Sequence, residues 1–340
     1  MTTTYVLGAG ASLHAGFPLA SAMGEGLLDF MLRYPVAEYP SAAQFLIDTF
    51  GESRNIEDLI TTLQSRIDAL NTPEGKAELM RLGNCRGRLT SCLREWFREI
   101  HTKPAPAYAE FAAKIIRPGD VVITFNYDDS LERELSRAGM WDVSRGYGFP
   151  LGTEDTPSKT LLLKLHGSMN WLISVFGGAR AGAFQVVGWP PSAFGDAPVI
   201  HPADLHHLGY TDFKGRVFTG GGALECLILP GRKKEFFYDT SFGREFGDFW
   251  ELLWSQAAEA VNRSERIVLC GYSLLPLDQR ARELLLRMPK RQTHVTVVCG
   301  SQSERIADDF RAAGLQHIQV FAGGYFEDWV KAAVNESLRP

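Results

Sequence analysis

The sequence has few cysteines, and the ones that it contains are scattered. They are Cys85, Cys92, Cys226, Cys270 and Cys299, and no two of them form a Cys-x-x-Cys pair. An odd number of isolated cysteines encodes neither a disulfide framework nor a zinc ribbon, and free thiols suit a reducing compartment. We therefore expect a cytoplasmic protein that holds no metal.

The sequence also lacks long apolar runs and concentrated positive charge. No basic leader precedes an apolar stretch at the N-terminus, and nowhere do about 18 apolar residues run without interruption. The net charge is -5, and Lys and Arg are dispersed rather than gathered into the stripe that binds a phosphate backbone. Secretion, membrane insertion and direct nucleic acid binding are therefore not expected.

Apolar residues, at 45% of 340 residues, are sufficient for a large core, and many of them occur in short runs. Six of these runs predict buried strands, at residues 5–7, 121–124, 161–165, 267–270, 295–298 and 317–320. Most are apolar on both faces, which is typical of parallel strands covered by helices. Helical patterns follow several of them, at 128–137, 278–287, 303–313 and 325–334. The sequence therefore predicts an α/β fold with a Rossmann-like, doubly wound, mostly parallel sheet of about six strands.

Residues 8–120 separate the first two predicted strands, which is far more than one crossover helix needs. Apolar residues recur at three- and four-residue spacing within this stretch, so we expect an all-helical insertion over residues 37–117, with Asn55 as an N-cap. The main domain is then discontinuous, over residues 1–36 and 118–335. Residues 176–222, rich in Gly, Ala and Pro, are expected to form a loop-rich excursion from it, made of long loops or short strands and not of a second core.

The first candidate site is the segment GAGAS at residues 8–12, which directly follows the first predicted strand. Small residues at such a turn let backbone N–H groups approach a pyrophosphate. Leu13 stands where Gly-x-Gly-x-x-Gly has its third glycine, and no strand ending in an acid follows about 20 residues later. A standard dehydrogenase is therefore disfavoured, and a tight turn that needs small residues for packing alone is the alternative.

The second candidate site is the segment TFNYDD at residues 124–129, after the second predicted strand. In an extended backbone Asn126 and Asp128 would point to the same side, at the sheet edge where open α/β folds bind ligands. Alternatively, Asp128 or Asp129 caps the following helix, and for Asp129 this is the preferred interpretation.

Two further segments follow predicted strands at the same edge. His166 lies in KLHGS at residues 164–168, and its place beside a glycine at the ligand-binding edge favours a functional role. Residues 270–278, CGYSLLPLD, run from a strand through Gly-x-Ser to a helix and could hold another part of a nucleotide. Asp278 is alternatively an early-turn carboxylate that pairs with Arg282 on a solvated face.

The joint order of these four motifs resembles that of the sirtuin family, and most of all its zinc-less prokaryotic branch. The resemblance covers the main domain, and the insertion matches only in character. It implies that Asn126 binds the nicotinamide ribose of NAD and positions a water, that Asp128 contacts the carboxamide, and that His166 is the base. It also implies an NAD-binding surface formed by Gly8, Ala9, Gly10, Ser12, Phe17, Thr124, Gly271 and Ser273, with the first four around the phosphates and the last two near the adenosine half.

The sequence departs from deacylating sirtuins, which carry a four-cysteine zinc module where this chain has only Cys226. By the resemblance, members without that module are often NAD glycohydrolases that deplete NAD in antiphage defence. Hydrolysis of NAD to nicotinamide and ADP-ribose is therefore the leading hypothesis. NAD-dependent protein deacylation or ADP-ribosyl transfer is a second, and a non-catalytic NAD or ADP-ribose sensor is a third. Because unrestrained NAD cleavage would harm the host cell, we expect gating by a homo-oligomer or by a regulatory defence partner.

Overall fold

The protein is described from a computed structural model. The structure describes residues 2–51, 55–70, 75–149, 158–174, 184–187, 199–200, 223–228, 244–276 and 278–337. Its strands, in chain order, are β1 (Thr3–Leu7), β2 (Val121–Thr124), β3 (Leu161–Lys164), β4 (Gly167–Ser174), β5 (Phe184–Val187), β6 (Val199–Ile200), β7 (Ala223–Leu227), β8 (Arg266–Cys270), β9 (His294–Val298) and β10 (His317–Val320).

Its α-helices are α1 (Ala20–Arg33), α2 (Glu38–Phe50), α3 (Ile56–Ala69), α4 (Lys76–His101), α5 (Pro106–Glu110), α6 (Ser130–Arg137), α7 (Val143–Gly146), α8 (Arg244–Arg263), α9 (Gln279–Arg287), α10 (Ser303–Ala312) and α11 (Phe326–Ser337). A turn of π-helix, Phe111–Ile115, continues α5. Among the described residues no helix is long and apolar enough to cross a membrane.

A six-stranded parallel sheet forms the centre of the fold and confirms the predicted fold class. Its strand order is β10-β9-β8-β1-β2-β3, so the chain runs outward from β1 to β3 and then crosses back to β8 on the other side of β1. This is the doubly wound Rossmann order, whose topological switch point lies between β1 and β8. All six predicted strands belong to this sheet, and helices surround it.

Helices α1 to α5 lie between β1 and β2, and α2 to α5 fall within residues 37–117, where the apolar spacing predicted helices. Helix α3 begins where expected because the Asn55 side chain accepts a hydrogen bond from the Glu57 amide at 2.9 Å. The α3 and α4 helices bury apolar stripes that include Leu59, Leu63 and Leu89. The boundaries proposed for the main domain and the insertion remain predictions.

The sequence did not predict a second sheet, which is antiparallel and has the order β6-β5-β4-β7. Strand β4 begins at Gly167, immediately beyond the end of β3, and pairs with β7. Within the loop-rich excursion proposed for residues 176–222, the structure describes only β5 and β6, and the rest of that prediction lies outside the described residues.

Candidate functional site

The register of the parallel sheet brings four loops to one edge. Leu7 at the end of β1 pairs with Thr124 on β2 and with Cys270 on β8, and Thr124 pairs with Lys164 on β3. These four strands therefore end at the same level, and the loops that follow them surround a cavity of about 410 Å³. It lies at the carboxyl edge beside the switch point, where open α/β sheets bind ligands.

Most of the residues singled out in the sequence lie on this cavity. Those that line it are Ala9, Phe17, Asn126, Asp128, His166, Gly271 and Ser273. Gly8, Gly10, Ser12 and Thr124 are close by but are not among the described residues that form its wall. The structure therefore brings the four motifs together at one site, and the individual roles assigned to these residues remain predictions.

The glycines of the first loop pack directly against the loop after β8. A Cβ at Gly8 would lie 2.5 Å from the Tyr272 Cα, and one at Gly10 would lie 2.7 Å from the Gly271 Cα. The Gly10 amide also donates to the Gly271 carbonyl at 3.0 Å. Because these contacts are backbone to backbone, loop packing by itself requires glycine at both positions, whether or not the loop also holds phosphates.

Ser12 is the centre of a buried hydrogen-bond network. Its hydroxyl donates to Asp128 Oδ2 at 2.7 Å and accepts from Asn126 Nδ2 at 2.9 Å. Its distance to the Tyr108 hydroxyl is 2.7 Å, and since the only Ser12 proton goes to Asp128, Tyr108 is the donor there. Asn126 Nδ2 also donates to the Gly8 carbonyl at 2.9 Å. Ser12 therefore fixes the Asn126 amide, which was expected to bind the nicotinamide ribose, and the Asp128 carboxylate, which was expected to contact the carboxamide.

Tyr108 and Thr124 support the Asn126–Asp128 segment without lining the cavity. Tyr108 comes from α5, and burial raises the pKa of its hydroxyl, with a further contribution from Asp128, so it stays a hydrogen-bond donor. Sequence reasoning missed Tyr108, because nothing in its helical pattern indicates a partner near residue 12. The Thr124 hydroxyl accepts from the Asn126 amide at 3.1 Å. Both side chains thus position the polar groups that do face the cavity.

A buried ion pair between Lys164 and Glu132 supports the Asn126–Asp128 segment. Lys164 Nζ lies 2.6 Å from Glu132 Oε1 and donates to the Asp128 carbonyl at 2.6 Å. Both charged side chains are excluded from solvent. Burial raises the pKa of Glu132 to about 7 against the opposing effect of Lys164, and burial likewise raises the pKa of Asp128. Lys164 therefore attaches the segment after β2 to the end of β3.

Asp129 is the N-cap residue of α6, but its side chain makes no capping hydrogen bond, so the expectation that its carboxylate caps the helix was wrong. The Ser130 amide at the start of α6 donates instead to Asp128 Oδ1 at 3.2 Å. The Asp129 carboxylate is turned to the insertion, where its Oδ1 lies 2.6 Å from His101 Nδ1 at the end of α4. Both side chains are completely buried, and the contact is a close polar pair that does not meet the geometry of a hydrogen bond.

His166 lies among aromatic rings and one carboxylate. The Phe125 ring meets the His166 ring edge to face, with 4.9 Å between the ring centroids. The Phe125 ring also stacks on the Tyr272 ring, with 4.0 Å between the centroids and an interplanar angle of 13°. Asp278 Oδ2 is 3.8 Å from His166 Nε2 and accepts from the Tyr272 hydroxyl at 2.6 Å. Asp278 is buried and lines the cavity.

Asp278 therefore does not form the solvated pair with Arg282 that was the alternative interpretation. Arg282 donates to Asp309 Oδ2 at 3.0 Å and to the Leu274 carbonyl at 3.0 Å. Leu274 has φ +48°, a left-handed conformation that costs a non-glycine residue about 1–3 kcal/mol and is characteristic of functional loops. Arg282 thus holds the strained loop in which Ser273 and Leu275 face the cavity.

The helical region contributes one wall of the cavity, which the sequence did not indicate. Asn55 and Glu57 at the start of α3 and Phe97 on α4 line it. The carboxylates of the wall are those of Asp128, Asp278 and Glu57, and His166 also lines it. No Lys or Arg side chain is among the described residues of the wall. In the described part of the chain, the cavity included, no group of three or more His, Cys, Asp or Glu side chains could hold a metal ion.

Comparison with known proteins finds likeness to solved structures at low sequence identity. No protein-family model matches it, and no curated protein matches it. Among solved structures, a mutant Sir2 homologue in complex with ADP-ribose is 14% identical, with a TM-score of 0.43, over 100% of this chain and 94% of that chain. A Sir2 protein bound to an acetylated peptide is 13% identical, with a TM-score of 0.42, over 99% of this chain and 93% of that chain. Likeness at this level does not show that the chain belongs to their family.

Proposed function

We propose that this protein is an NAD glycohydrolase, which cleaves NAD to nicotinamide and ADP-ribose. The observation that carries the proposal is that Asn126, Asp128 and His166 meet on one cavity at the switch point of a doubly wound sheet. The order of the motifs that contain them, which resembles that of sirtuins, supports NAD as the substrate. The cavity volume of about 410 Å³ is within the ordinary range of small-molecule sites.

The reaction needs no strong general acid from the protein, because nicotinamide departs as a neutral group from a cationic pyridinium. The carbon–nitrogen bond breaks with its electron pair going to nicotinamide, and water supplies the oxygen of the new bond. Asn126 would orient the ribose and the water, and His166 would accept a proton from a ribose hydroxyl or from the water. No external acid, metal or redox partner is needed to balance this step.

The charge of the cavity wall supports the same reaction. The substrate pyridinium is cationic, and the transition state resembles an oxocarbenium ion. Carboxylates such as Asp128 and Asp278, placed where positive charge develops, stabilise that state more than they would in water, because the site is partly desolvated. We assign Asp128, which Ser12 fixes at 2.7 Å, to the nicotinamide end.

For the biological role we infer NAD depletion in antiphage defence, with the activity restrained until a homo-oligomer or a regulatory partner forms. The inference rests on the motif resemblance and on the harm that constant NAD cleavage would cause. Comparison of the mass in solution with the specific activity tests it. A monomer that is fully active by itself would contradict the gating.

The activity is tested by incubating the purified protein with NAD and separating nicotinamide and ADP-ribose by chromatography. We expect release by the wild type and a loss of about 10²-fold or more in Asn126→Ala and His166→Ala. Asn262→Ala and His317→Ala, which change exposed residues that do not line the cavity, are the matched controls. Release that requires an acetylated peptide would instead indicate a deacylase, and tight NAD binding without any release would indicate a sensor.

A further inference from the structure

Asp278 lies in the cavity opposite His166 and is absent from the set of site residues that the motifs suggested. Its Oδ2 is 3.8 Å from His166 Nε2, which is within ion-pair distance but beyond hydrogen-bond distance. Both side chains are buried, so the interaction between a charged His166 and the carboxylate would be screened less than at the surface.

The carboxylate of Asp278 is itself fixed in place. The Tyr272 hydroxyl donates to the same Oδ2 at 2.6 Å, and the Tyr272 ring is stacked on Phe125. Phe125 in turn contacts the His166 ring, so Tyr272 and Phe125 link the carboxylate to the imidazole through a continuous set of packed rings. Asp278 also precedes α9, but its side chain makes no capping hydrogen bond there. Its carboxylate is therefore directed to the cavity and not to the helix.

We propose that Asp278 is a positioning residue, which orients His166 and stabilises the imidazolium that forms when His166 accepts a proton. The statement about the reaction rests on the proposed function, whereas the pairing of the two side chains does not. In the step, an O–H bond of a ribose hydroxyl or of water breaks, its electron pair stays on oxygen, and an N–H bond forms on His166. Whichever ring nitrogen takes the proton, the new positive charge lies beside the Asp278 carboxylate.

Among the residues that the structure describes, the other charged side chains near His166 have partners or positions of their own. Lys164, two residues earlier, is directed to Glu132 at 2.6 Å. Asp128 accepts from Ser12, and Glu57 lies on the α3 wall of the cavity. From the β7 side, the Ile228 amide donates to the His166 carbonyl at 2.9 Å and brings no charge. Among the described side chains, Asp278 is the carboxylate found within 4.0 Å of the His166 ring nitrogens.

The test compares Asp278→Asn with the wild type by following the His166 ring signals in an NMR pH titration, assigned by their loss in His166→Asn. Asparagine keeps the shape and still accepts from the Tyr272 hydroxyl, so the fold should persist, which circular dichroism checks. Without the carboxylate, the protonated imidazole loses its partner, so the titration midpoint of His166 should fall. Asp308→Asn, which removes the same charge from an exposed position on α10, should leave the midpoint unchanged.

Kinetics provide the second readout. In Asp278→Asn we expect kcat for NAD cleavage to fall by about 10-fold to 10³-fold with little change in KM, and the acidic limb of the pH profile to move to lower pH. Tyr272→Phe, which frees the carboxylate without removing it, should cause a smaller loss of kcat. An unchanged His166 midpoint in Asp278→Asn would overturn the proposal. If the protein cleaves no NAD, the proposed function fails, but the titration still decides whether the two side chains are paired.

Discussion

The two sides of the cavity are built in different ways. On one side, which we call the closed side, Ser12, Tyr108, Asn126 and Asp128 are joined by hydrogen bonds of 2.7 to 2.9 Å. On the other, the open side, His166 and Asp278 are 3.8 Å apart. The closed side has its polar groups tied to one another, whereas the open side leaves a gap between His166 and the Asp278 carboxylate.

On the proposed function, the difference corresponds to a division of roles between holding the substrate and transferring a proton. Groups that must hold a substrate in one orientation gain from a network in which each partner restricts the next, because less motion has to be lost on binding. A group that must take up and release a proton needs a partner that stabilises its charge but does not immobilise it. We therefore expect changes on the closed side to lower stability together with activity, and changes on the open side to lower activity alone.

The largest expected effect comes from the ion pair beneath the closed side. Lys164→Met keeps the volume of the side chain but leaves Glu132 buried without its cation, which should lower the free energy of unfolding by about 3–5 kcal/mol. Because the pKa of Glu132 is already raised to about 7, the loss should be greater at pH 8 than at pH 6, where the carboxylate can take a proton. Denaturant titration at both pH values measures it. Adding Glu132→Gln should recover part of the loss, and equal stability of Lys164→Met and wild type would contradict this account.

A smaller effect is expected where the loop after β1 packs against the loop after β8. Gly271 has φ +65°, and a Cβ there would lie 2.3 Å from the Ala11 amide nitrogen. Gly139 has φ +64°, but a Cβ there would meet nothing within 4 Å. Gly139→Ala should therefore cost about 1 kcal/mol from backbone strain, and Gly271→Ala about 2–4 kcal/mol because overpacking is added. Thermal unfolding of the matched pair measures the difference, and similar losses would show that the loops do not need the close approach.

The smallest of the three effects concerns the centre of the closed side. Ser12→Ala removes the hydroxyl that serves Asp128, Asn126 and Tyr108, and we expect it to cost about 1–3 kcal/mol of stability along with a loss of NAD cleavage. Tyr108→Phe removes one of the three hydrogen bonds and should cost about 1 kcal/mol. Denaturant unfolding and the chromatographic assay, run on both variants, test the order. A Ser12→Ala variant with full stability but no activity would place Ser12 with the open side.

The parallel sheet was predictable because each of its strands is marked by a short apolar run in the local sequence. Residues 267–270, for example, are apolar on both faces and correspond to β8. The antiparallel sheet was missed because its strands depend on each other: β4 pairs with β7 across residues 175–222, and neither segment has the regular alternation that marks a half-buried strand. The wrong interpretation of Asp129 has a similar cause, since its neighbour His101 lies at the end of α4, in the helical region.

The candidate site was predicted in outline but not in its connections. Asn126, Asp128 and His166 could be proposed because polar residues directly after buried strands must gather at one edge of a parallel sheet. Tyr108 and Asp278 could not be proposed as their supports, because a helical tyrosine and an aspartate before a helix are ordinary in any sequence.

The sequence by itself determined the class of fold, the edge of the sheet that carries the polar groups and the residues at its strand ends. These follow from local chemistry, since apolar runs, glycines and strand-to-helix turns act over a few neighbouring residues. Only the tertiary structure decided that Ser12 joins Tyr108 to Asp128, that Lys164 supports the segment after β2, and that Asp278 faces His166. Those pairings join residues that lie far apart in the chain or on different loops, and their distances are set by the packing of the whole sheet.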